Sequence, residues 1–125
     1  MKFGITKKLI AIVLIGLCSQ LAMADPASAR KTIAGILSTL NHFPSDAQKA
    51  ELAAIAADES SGRGNVLIAG AVINMQHALN AEGKTAMEGI IAAEQAPAEA
   101  KALAKVALEF NHMASEEAKA VLAGL

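Results

Sequence analysis

The chain has three histidines, His42, His77 and His112, and each stands 35 residues from the next. Random placement would give two such coincidences about once in a thousand sequences of this period. Other positions keep the same register: Lys49, Lys84 and Lys119; Leu52, Met87 and Leu122; Leu40, Met75 and Phe110. The recurrence of Ser45, Asn80 and Ser115 is the most informative, because all three are helix N-cap residues. A period of this length means a repeated supersecondary unit. One such unit cannot bury its apolar face alone and must pack against its neighbours.

Each unit reads as two helices. Ile33, Ile36, Leu37, Leu40 and Phe43 recur at i, i+3, i+4, i+7 and i+10, one stripe of an α-helix that Pro44 stops. Ser45 caps the next helix, with Gln48 placed for a capping box and Asp46 in the first turn, where the dipole favours an anion. Leu52 and Ile55 point inward, the helix ends near Asp58, and residues 59–64 connect the units. The second unit predicts helices over 66–79 and 81–94, the third over 98–113 and 116–125, with Pro97 in the opening turn. Leu67, Ile68, Val72, Ile73 and Met75 surround the first helix of the middle unit and place it in the interior. No stretch alternates with period two. The expected fold is all-α: three stacked αα-hairpin repeats of about 35 residues (26–60, 61–95 and 96–125), six helices in an α-solenoid-like array or a compact helical bundle. The period is close to that of tetratricopeptide repeats, but their Trp and Tyr positions are missing.

Residues 1–24 read as a secretory signal peptide. Lys2, Lys7 and Lys8 precede the apolar run Leu9–Leu17, and Ala22-Met23-Ala24 offers small residues for cleavage after Ala24. The apolar run is about half of the roughly 20 residues a membrane span needs. Leu17 before Cys18 argues against lipidation, and the chain from Asp25 onward has no cysteine. The expectation is one domain over 25–125, exported to the periplasm or secreted, held by packing without disulfides and without a membrane contact once the leader is cut. That domain carries eight basic against twelve acidic residues and no Trp or Tyr. Its negative charge and the lack of stacking rings exclude a nucleic-acid partner.

No nucleophile–base arrangement, HExxH, P-loop or GxSxG elbow is present, so no enzyme and no cofactor are expected. Helical spacing puts His42 opposite the apolar stripe with Ser38, and the matching positions are Ile73 with His77 and Leu108 with His112. In a stacked array these six residues form a ladder, and the first expectation is a non-catalytic module that binds a protein partner there, with a homodimer left open. The alternative is a copper- or zinc-binding or pH-responsive protein using His42, His77 and His112. Two physical arguments oppose that alternative. Neighbouring helices lie about 8–10 Å apart, too far for three rings to share one ion with bonds of about 2 Å. Histidines in the last turn of a helix have a structural use, donating to free carbonyls. Met75 and Met87 align with Leu, Phe and Leu positions and read as core rather than ligands.

Overall fold

The computed structural model describes residues 25–125. The leader, its cleavage point and Cys18 lie outside the described residues. Among the described residues the structure is all-helical: α1 (Pro26–Thr39), α2 (Asp46–Ala57), a short 3-10 turn (Glu59–Ser61), α3 (Arg63–Ile73), α4 (Ala81–Ala92), α5 (Ala98–Glu109) and α6 (Glu116–Ala123).

The helix starts follow from local chemistry. Asp25 caps α1 by accepting from the Ser28 amide at 2.7 Å, with Pro26 in the first turn where no amide donor is needed. Ser45 caps α2 in a complete capping box. Its hydroxyl accepts from the Gln48 amide, and the Gln48 side chain accepts from the Ser45 amide at 2.9 Å. Asn80 and Ser115 cap α4 and α6 with the first of these bonds only, accepting from the amides of Gly83 and Ala118. Pro97, expected inside the opening turn of α5, is instead its N-cap.

The helix ends differ from the sequence expectation. The first helix stops at Thr39, with Leu40 already extended, because Pro44 would clash with the Leu40 carbonyl if the helix ran on. The corresponding helices end at Ile73 and Glu109, several residues before the limits that periodicity suggested. Apolar residues beyond those ends, Leu40, Met75 and Phe110, are still buried. They extend the hydrophobic pattern past the hydrogen-bonded helix.

Burial repeats with the period of the sequence. Ile33, Ile68 and Leu103 are fully buried, and so are Leu37, Val72 and Ala107. Small residues follow at Ala34, Ala69 and Ala104, at most 4% exposed, which lets the backbones of α1, α3 and α5 approach one another. These three helices are all in mutual contact and form the centre of the molecule. The outer helices bridge them: α2 packs chiefly on α3, α4 on α5, and α6 returns to α1. Leu52, Met87 and Leu122 are the equivalent buried residues of the outer helices, joined by Ile55 on α2 and Ile90 on α4. Leu67, expected in the interior, is 40% exposed, because the neighbours of α3 cover the face bearing Ile68 and Val72 and leave the other open.

The described helices therefore close on themselves, the last against the first. Besides the α6–α1 contact, the Arg30 guanidinium donates twice to the Leu125 carbonyl at 3.4 Å. The amide of Asn65 ties the entry of α3 to the start of α1, donating to the carbonyls of Ser61 at 2.8 Å and Pro26 at 3.0 Å. At the other end of α1, α3 and α5 the three histidine corners meet.

Candidate metal centre

Each corner between an inner and an outer helix holds its histidine in the left-handed region: φ is 70° at His42, 67° at His77 and 68° at His112. They are the only non-glycine residues with positive φ among those described. Histidine is one of the few side chains that tolerates this region, yet the conformation still costs about 1–2 kcal/mol relative to right-handed backbone. At the first and third corners the amide after the histidine closes a three-residue turn, Phe43 to the Asn41 carbonyl at 2.8 Å and Met113 to the Asn111 carbonyl at 2.7 Å. The middle corner uses a different bond, Gln76 to the Ala78 carbonyl at 3.2 Å.

The sequence argument placed the histidines in the last turn of a helix, bonded to free helical carbonyls. The structure puts them beyond the helix end, and their amides bond one another. His42 donates to the carbonyl of His112 at 2.7 Å, His112 to that of His77 at 2.6 Å, and His77 to that of His42 at 2.5 Å. Three corners that each give and accept one bond make a closed cycle. This cycle satisfies backbone groups that a helix end would otherwise leave unpaired.

The cycle brings the imidazoles together. Ring centroids are 4.9 Å apart for His42–His77, 5.1 Å for His42–His112 and 4.8 Å for His77–His112. The first two pairs meet nearly edge to face, at 82° and 89°. One nitrogen from each ring lies within 4.8 Å of the other two. Three atoms so spaced share a point no more than about 2.8 Å from each, against a zinc–nitrogen bond of about 2.0–2.1 Å. The excess over a bond length is less than about 1 Å per ring. The spacing objection drawn from helix packing is thereby overturned. It assumed histidines on helix faces, whereas corner residues beyond the helix ends converge where the helices themselves cannot.

Asn41 and Asn111 orient two of the rings. Nδ1 of His42 lies 2.5 Å from Asn41 Oδ1, and Nδ1 of His112 lies 2.6 Å from Asn111 Oδ1. An amide oxygen accepts, so Nδ1 carries a proton, and in the neutral ring this leaves the lone pair of Nε2 for a ligand. Helical periodicity does not single out these asparagines. Their position directly before each histidine was the available signal.

The electrostatics favour a cation. The starts of α1, α3 and α5 line one cavity at the far end of the molecule, and their ends lead into the three corners, so the three helices run in one direction. Their negative dipole ends point toward the imidazoles, and no basic side chain occupies the last turn of any of them. His77 and His112 are exposed and His42 half-buried, so the cluster opens to solvent.

The remaining residues of the expected binding face, Ser38, Ile73 and Leu108, lie on the inner helices and share one degree of burial. Ile73 and Leu108 are half-buried and pack against the core, and Ser38 is half-buried on α1. Met75 and Met87 are core residues, 1% and 0% exposed.

No protein-family model matches the chain, and no curated protein or solved structure matches it. The functional reading rests on the geometry of the corners.

Proposed function

We propose that this protein binds one divalent first-row transition ion, zinc or copper, through Nε2 of His42, His77 and His112. The observation that carries this reading is the meeting of three imidazoles at three left-handed corners. Glycine would fill such a corner with less strain, and strained positions that converge on one point are characteristic of ligand sites. Imidazole suits zinc and copper, and two of the three rings already have the tautomer that coordination requires. With the expected leader, the setting is an exported metal-binding protein. This reading is favoured over a protein-binding array because the three imidazoles converge on one point, with one nitrogen of each within 4.8 Å of the others.

The test is a titration of the purified protein with Zn(II) and with Cu(II), following the imidazole signals by NMR. One equivalent should move all three histidine spin systems together, and His77→Asn should abolish the saturable response. Asparagine tolerates the left-handed corner, so the fold should survive by circular dichroism. Independent, weak titration of the three rings would reject the site.

A further inference from the structure

We propose that the metal held by the three histidines activates a water molecule and hydrolyses small, uncharged, activated carboxylic esters. This inference rests on the metal-binding reading. Three features point to it. First, the ligating group consists of three residues, with no fourth His, Cys, Asp or Glu joining it among the described residues. A three-ligand site with a vacant position is the catalytic arrangement of zinc, whereas structural zinc takes four protein ligands. Second, the ligands are neutral, and the groups holding His42 and His112 are amide oxygens rather than carboxylates. The full charge of the ion is left to polarise a bound water. Third, His77 and His112 are exposed, and large exposed apolar residues follow two of the three ligands in the chain: Phe43, 58% exposed, and Met113, 52% exposed. Exposed apolar residues next to the ligands in sequence suit an apolar acyl or aryl group.

Such a site needs no serine, cysteine or general base from the chain, which is why motif reading finds no enzyme here. The bound water loses a proton to solvent, and the resulting hydroxide oxygen forms a bond to the ester carbonyl carbon. The tetrahedral adduct collapses with cleavage of the carbon–oxygen bond to the leaving group, which departs as its anion with the electron pair. The carboxylic acid so formed gives its remaining proton to solvent and leaves as the carboxylate, a fresh water takes the position, and no oxidant or reductant is consumed.

The experiment measures p-nitrophenyl acetate hydrolysis by the zinc-loaded protein alongside free zinc at equal concentration, with zinc occupancy determined separately. The expected result is a rate at least about ten-fold above free zinc, lost in His77→Asn. In the Co(II)-loaded protein, azide should shift the visible absorption by taking the vacant position. Zinc bound by the three histidines without a rate above free zinc would overturn this inference and leave the metal reading standing. So would hydrolysis that appears only in Met113→Leu, which would show the thioether filling the fourth position. Failure to bind zinc at all would remove the metal reading and this inference with it.

Discussion

The amide of His42 donates to the carbonyl of His112 at 2.7 Å, joining the corner of the first helix pair to that of the last. That bond closes the cycle through His77 and sets the three rings about 5 Å apart. The same three residues thus fasten the ends of the inner helices together and present the nitrogen donors. Stability and ligand binding meet at one point of the backbone, and the predictions below separate them.

A metal held by all three corners binds the folded chain and not the unfolded one. At free zinc one hundred times the dissociation constant the fold should gain about 2.7 kcal/mol, read as a higher urea midpoint. The gain should vanish in His42→Asn, His77→Asn and His112→Asn alike, since two imidazoles on a solvent-exposed ion do not replace three.

Asn41 and Asn111 hold the Nδ1–H tautomer of their histidines. Replacing either with Ala should weaken metal binding about 10- to 100-fold while leaving the apo melting curve nearly unchanged. Calorimetric titration of each variant checks this. Both side chains are exposed, so packing loss does not compete with the effect.

Acid should unfasten the start of α1. Hydrogen bonds from the Ser28 backbone amide and then the Ser28 side chain hold the Asp25 carboxyl below its ordinary range. A carboxyl titrating lower in the folded chain than in the unfolded one adds stability above the unfolded value, and that contribution is lost as pH falls through the folded value. Asp58, held low by the Ser60 hydroxyl and then its amide, has the same sign. In Asp25→Asn the cap keeps an acceptor but no longer titrates, so its melting temperature should depend less on pH below about 4 than that of the wild type. Equal slopes for the two proteins would remove Asp25 from the acid response.

The helix caps and buried faces were legible in the sequence because both are local. An N-cap needs one side-chain oxygen and the amides two or three residues on, and a buried face needs only the 3.6-residue period. Closure was not legible. The apolar stripe of Ile33 and Leu37 specifies burial equally well in an open array and in a ring, and nothing in periodicity says that α6 returns to α1. The left-handed φ of the histidines was hidden for another reason. Glycine advertises such a position and histidine does not, so the apolar residues Leu40, Met75 and Phe110 appeared to carry their helices through the corners. The exact spacing of the histidines held the clue, once read as three corners rather than three helix faces.

The caps offer a test of how local that part of the fold is. Ser45→Ala, Asn80→Ala and Ser115→Ala should each cost about 0.5–2 kcal/mol in urea melts. Ser45 differs in having the reciprocal bond from Gln48, so Gln48→Ala should cost less once Ser45 is already Ala. An additive double variant would show that the two halves of the capping box stabilise the helix independently.

The clearest separation of stability from binding lies at His77, whose φ is 67°. Glycine relieves the roughly 1–2 kcal/mol cost of a left-handed corner and gives back about 0.5–1 kcal/mol through the greater freedom of the unfolded chain. His77→Gly should therefore leave the apo protein as stable as the wild type or more stable by up to about 1.5 kcal/mol, with the backbone cycle retained. It should also lose the metal response, because the donor nitrogen is gone. His77→Val should lose about 1–3 kcal/mol, since a β-branched side chain is least compatible with positive φ. Urea midpoints of the three proteins, with and without zinc, decide the matter. A glycine variant markedly less stable than the wild type without metal would mean that the imidazole contacts themselves support the fold, and that the histidines hold the corners by ring packing.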